Sequence, residues 1–159
     1  MPNAMRPLVD AVREEITPLV HALGFTLIDV NVFRSKGARA VRLVIYRREG
    51  VGIDDCAAVS RSVHPRLELM DELSGCSLEV SSPGIGRILK GPAEYELFRG
   101  RGAAVLREGH SEWLKGVIDR TEEGALQMKS EGKTVSIPFD KIKRVKLALV
   151  KEEENDHVL

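Results

Sequence analysis

The hydrophobic residues of this 159-residue chain change their period along the sequence, and that change constrains the fold more than any other feature. Between residues 5 and 23, Leu8, Val12, Ile16, Leu19 and Leu23 recur every three or four positions, which lines them up on one face of a helix. Gly24 supplies the stop, and Pro18 removes one helical hydrogen bond and is expected to bend the helix. Over residues 25–34 the period drops to two. Ile28, Val30 and Val32 alternate with Asp29 and Asn31, the pattern of a half-buried strand. Ser35-Lys36-Gly37 is turn chemistry, so residues 41–46 become the second strand of a hairpin. After Gly50 and Gly52 the helical period returns in Cys56, Val59, Val63 and Leu67, with Asp54 expected as the N-cap and Pro65 expected to disturb the last turn. Residues 77–81 read as a third strand. The order αββαβ predicts an α+β domain with both helices on one face of a three-stranded sheet.

The second half has a different texture. A short helix over residues 92–99 ends at Gly100, and short strands follow at 103–107, 113–120, 125–129, 134–137 and 145–149. Glu108-Gly109, Glu123-Gly124 and Glu131-Gly132 fall in the gaps between them. Short strands at such spacing predict a small β-barrel of the Sm or SH3 kind. The expected organisation is an N-terminal α/β domain at residues 1–84, a linker with the short helix at 85–100, the barrel at 101–150, and a disordered acidic tail at 151–159.

Composition narrows the function classes. Hydrophobic residues at 43% and charged residues at 30% describe a globular chain, while aromatics at 4% count against RNA recognition by an aromatic platform. The 24 basic and 24 acidic residues cancel, which excludes a simple polycation. The tail from Lys151 onward holds one Lys against Glu152, Glu153, Glu154 and Asp156, so the remainder carries 23 basic and 20 acidic residues. A partner with both protein and RNA surface suits that balance. No apolar run approaches the roughly 18 residues of a membrane span. The expectation is a cytoplasmic protein without a membrane partner, with Cys56 and Cys76 as reduced, buried thiols.

Catalytic signatures fail one by one. His21, His64, His110 and His157 are scattered, and none has a Cys or His at metal-ligand spacing, so neither a metal nor another cofactor is expected. Ser81-Ser82-Pro83-Gly84 lacks the Gly two places before a nucleophilic Ser, and Gly84-Ile85-Gly86 lacks the third glycine of a dinucleotide loop. No catalytic residues are assigned. The candidate binding residues are those of the turn, Ser81, Ser82, Gly84 and Arg87, where hydroxyls and amides beside a guanidinium can hold a phosphate or a carboxylate. The plainer alternative is that the serines cap the turn and Arg87 pairs with an acidic neighbour. Arg34, Arg39 and Arg42 around the hairpin, and Lys143 and Arg144 within the basic run that also holds Lys141 and Lys146, are candidates for gripping RNA phosphates. Scattered solvated cations would look the same.

Leu78-Glu79-Val80-Ser81-Ser82-Pro83-Gly84, continued by Arg87 and Leu89, closely resembles the signature of the bacterial ribosome maturation factor RimP family. Pro18 with Leu23-Gly24-Phe25, Gly50 with Ile53-Asp54-Asp55-Cys56, Phe98-Arg99-Gly100, and Ile142 with Leu147 agree in the same order, so the likeness covers roughly residues 6–150. The resemblance implies a KH-like or similar α/β N-terminal domain and an Sm-like C-terminal barrel, and it agrees with the independent expectation of a non-enzymatic protein. It also implies binding to the free small (30S) ribosomal subunit during late assembly, through small-subunit rRNA and the twelfth small-subunit protein; a monomer is expected. The chain departs from the family's usual residues at Gly86 (Asp), Ile88 (Pro), Tyr46 (acidic) and Glu68 (Asp), so an Asp–Arg pair at 86–87 does not carry over. The competing reading is a general single-stranded RNA-binding module of the Sm or KH type. Against it, a KH domain needs a Gly-x-x-Gly loop between two helices, and none joins two helices here.

Overall fold

A computed structural model describes residues 5–150, and the chain divides between Pro83 and Gly84 into two compact units. The acidic tail expected at residues 151–159 lies outside the described residues. The N-terminal unit holds α1 (Arg6–Ala22), β1 (Thr26–Ser35), β2 (Ala38–Tyr46), α2 (Ile53–Glu68) and β3 (Ser77–Ser81). The αββαβ order is the expected one. β1 and β2 pair antiparallel across Lys36-Gly37, whose φ angles of 53° and 81° are the positive pair that a two-residue turn of matching twist requires. β3 pairs parallel to β2 after the crossover through α2.

The core forms where the two periods meet. Val12, Ile16 and Val20 of α1 and Val59, Val63 and Leu67 of α2 pack over Val30 and Val32 of β1 and Val41, Leu43 and Ile45 of β2. Each such buried side chain contributes about 1.5–3 kcal/mol relative to exposure. α1 ends as the sequence predicts: Gly24 takes φ 90°, its N–H bonds the His21 carbonyl, and the Phe25 N–H reaches back to Val20. Leu23, expected on the buried stripe, lies past the helix end and is 40% exposed.

α2 corrects the expected cap. It starts at Ile53 with Gly52 as N-cap, so Asp54 sits inside the first turn, where its charge still favours the helix dipole. Asp55 closes the end instead, its carboxylate accepting from the Gly52 N–H at 2.8 Å. The helix continues past Pro65 to Glu68, and Cys56 is half-buried rather than buried.

The C-terminal unit holds α3 (Pro92–Leu97) and β4 (Gly102–Arg107), β5 (Leu114–Glu122), β6 (Ala125–Ser130), β7 (Lys133–Pro138) and β8 (Ile142–Leu147). These strands form an antiparallel sheet in the order β7-β6-β5-β4-β8. Glu123-Gly124 and Glu131-Gly132 turn the β5–β6 and β6–β7 hairpins, both residues of each pair having positive φ. Phe98, Ile118, Leu126, Met128 and Leu147 are among its fully buried side chains.

Two expectations change here. Residues 85–100 belong to this unit rather than linking it. The Gly86 and Leu89 N–H groups donate to the Leu147 and Val145 carbonyls, and the Leu147 N–H donates to Arg87, so this segment lies antiparallel along the outer edge of β8. The last strand also begins at Ile142, three residues earlier than expected. A register shift opposite Leu106 and Arg107 makes Lys143 an extra, bulged residue. The bulge restores the inward face, so Ile142 and Val145, an odd number of positions apart, both turn inward.

Candidate functional site

At the turn, β3 ends on half-buried Ser81, followed by exposed Ser82, buried Pro83 and exposed Gly84, Ile85 and Gly86. Gly86, where the family usually has Asp, adopts φ 90°, a conformation that strains any residue with a Cβ. Arg87 faces α3 rather than solvent: its guanidinium lies 3.5 Å from Glu94, and the side chains are only 12% and 17% exposed. Glu94 also accepts from the Lys90 N–H at 3.2 Å. Arg87 therefore ties the segment on β8 to α3, while Ser82 of the turn is exposed.

The hairpin arginines do not share one face. Arg34 and Arg39 stand directly opposite each other at the hairpin end, and Arg39 donates to the Met5 sulfur at 3.0 Å. Arg42, of the other parity, lies on the sheet face away from the helices. It pairs with Glu79 at 2.9 Å and stacks 4.9 Å from the Phe33 ring centroid. Arg47 serves α2, holding Asp55 at 3.1 Å and the Gly50 carbonyl at 3.1 Å over the Phe25 ring. On β8 the bulge turns Lys143 and Arg144 both outward and exposed.

The fold brings together a cluster that sequence spacing concealed. Donor atoms of His64, Glu68 and Cys76 lie within 4.8 Å of one another. They are already engaged: His64 Nε2 lies 2.9 Å from the Cys76 carbonyl oxygen, and Glu68 accepts from the Gly75 N–H at 2.9 Å. Burial, followed by the nearby Glu68 charge, pushes the Cys76 thiol pKa up, away from the thiolate a metal would need. The cluster acts as a staple between α2 and β3. Cys56 is raised likewise, by burial and by Asp55.

Glu96 is shifted the other way. The Thr121 N–H at 2.7 Å and hydroxyl at 2.9 Å both donate to its carboxylate and hold its pKa below the ordinary value. Trp113, absent from the sequence-level candidates, lies beneath the Lys146 ammonium at 4.3 Å. The available signal was the chain's single Trp with Lys115 two positions on, which strand parity places on the same face. No helix among the described residues is long and apolar enough to cross a membrane.

Residues 15–86 match the family model of the RimP N-terminal domain, a stretch running from the middle of α1 through β3 into the signature turn. Residues 15–86 thus carry a RimP N-terminal domain, the domain of a family of ribosome maturation factors.

Proposed function

We propose that this protein is a non-enzymatic maturation factor for the small ribosomal subunit, binding the free immature particle in the cytoplasm as a monomer. Its contacts are with small-subunit rRNA and the twelfth small-subunit protein. The observation that carries the reading is the match over residues 15–86. Two groups of cations support it. Arg34 and Arg39 are like charges directly opposite on paired strands, an arrangement that costs stability until an anion lies between them. Lys143 and Arg144 are turned outward by a bulge, a device that re-aims side chains. RNA phosphates fit both.

The factor would work by binding energy alone, holding the maturing particle in the arrangement it binds better, since equal affinity for two states shifts no population. Closure of the C-terminal sheet into a small Sm- or SH3-like barrel belongs to the same reading. A Cβ on Gly116 would collide with the Lys129 carbonyl oxygen, and register shifts interrupt β5 and β8. Glycine at a close strand approach together with bulges is how sheets bend toward closure. The rival reading, a general RNA-binding ring of barrels, needs free strand edges for neighbours. The outer edge of β8 is occupied by the chain's own residues 86–89.

Sedimentation with separated small, large and joined subunits tests the proposal. Comigration with the free small subunit alone is expected. Comigration with none of them, or equally with the large subunit, overturns it.

A further inference from the structure

On the outer face of the C-terminal sheet, strand register sets Lys115 of β5, Ala104 of β4 and Lys146 of β8 in one cross-strand row. The lysines are therefore about 10 Å apart at their backbones, two strand spacings. Between them Ala104 is a small, fully buried floor. Trp113 stands at one end of the row with Lys146 over its ring. Ile85 and Leu149, 58% and 64% exposed, form the apolar walls. The groove has a volume of about 410 Å³, within the roughly 300–1,000 Å³ of small-ligand sites. Arg144, two residues before Lys146, extends the positive rim, while Glu131 is a carboxylate on the adjoining depression below Trp113.

We propose that this groove takes a nucleotide of an unpaired RNA segment, its base against Trp113 and the apolar walls and its phosphates on Lys115, Lys146 and Arg144. The inference deepens the maturation-factor reading and rests on it. Charge complementarity selects the occupant: cations flank a flat aromatic and an apolar floor, the combination that single strands use and that a stacked duplex cannot enter. Lys146 lies over the ring at 4.3 Å, so a base stacking on that face of Trp113 displaces the ammonium toward its own phosphate.

Trp113 is the only tryptophan in the chain, so its emission reports the groove directly. Titration of the full chain with an unstructured twelve-nucleotide oligouridylate should quench it. Trp113→Phe should retain affinity, measured by anisotropy of labelled RNA, and Trp113→Ala should lose about tenfold. Lys115→Gln with Lys146→Gln leaves the ring in place and guards against a misfolded Trp113 variant. It should reduce the slope of log affinity against log salt by about 1.4, roughly 0.7 for each phosphate contact. Equal or stronger quenching by oligoglutamate would overturn the proposal in favour of an acidic protein partner. A change in Trp113 emission on deleting residues 151–159, without RNA, would assign the groove to the chain's own acidic end. If the wild type sediments with small subunits and the lysine variant does so equally well, the groove proposal fails while the family reading stands. If the wild type does not sediment with them, the family reading fails first.

Discussion

In the N-terminal unit Arg42, Arg47 and Arg66 each rest on a carboxylate, Glu79 at 2.9 Å, Asp55 at 3.1 Å and Glu15 at 2.8 Å. On β8 of the C-terminal unit, Lys143 and Arg144 have no such partner among the described residues, and Lys146 lies over an aromatic ring instead. Helix α1 brings Glu15 to Arg66 of α2, and the first turn of α2 brings Asp55 to Arg47. The bulged β8 has the outward rim of a sheet around it, with small or apolar neighbours such as Ala104 and Leu106 in register. Arg42, Arg47 and Arg66 thus become parts of the scaffold, while Lys143 and Arg144 remain available charge. Binding follows where the folding energy has not already used the charge.

Charge reversal on β8 should have the largest effect. Lys143→Glu with Arg144→Glu is expected to weaken sedimentation with the free small subunit on the order of tenfold to a hundredfold, while thermal stability stays within about 0.5 kcal/mol. Unchanged binding would end the contrast between scaffold and available cations. Next in size, Gly116→Ala should cost about 1–3 kcal/mol, because the added methyl meets backbone that cannot withdraw. Hydrogen exchange should show the lost protection within residues 84–150.

Asp55→Ala removes both the N–H acceptor of α2 and the partner of Arg47, and should cost about 1 kcal/mol by denaturant midpoint. Glu96→Gln tests the sign of a titration. The folded carboxylate has a pKa below its unfolded value, so its contribution is present above the ordinary value of 4.5 and disappears as pH falls through the folded pKa. The melting temperature of the variant should therefore be lower at neutral pH and fall less steeply below pH 4.5 than that of the wild type. Smallest of all, Arg42→Ala should change stability by only about 0.2–0.5 kcal/mol, because that pair is exposed. A loss well above 1 kcal/mol would mean that the Phe33 stack contributes more than the ion pair.

Much of the fold was legible in the residue pattern. The helical and strand periods located α1, β1, β2, α2 and β3, and Lys36-Gly37, Glu123-Gly124 and Glu131-Gly132 located three hairpins. Turn geometry and side-chain period depend on a few consecutive dihedral angles, so neighbouring residues suffice to encode them. The N-cap was missed because Asp54 and Asp55 are equally good acceptors, and only the extended Gly52 decides which carboxylate reaches back. The candidate site was less legible. The sequence offered Arg87 an acidic neighbour without singling out Glu94, and nothing near Trp113 announces Lys146.

The sequence by itself determined which segments are helix or strand, where the tight turns fall, and, through residues 78–89, the family. Only the tertiary structure decided that residues 86–89 lie along β8, that Arg34 and Arg42 part to opposite faces, and that Lys115 and Lys146 flank Ala104. Those outcomes depend on the register between strands distant in the chain, and register is settled by the packing of whole faces, which no single stretch of residues contains.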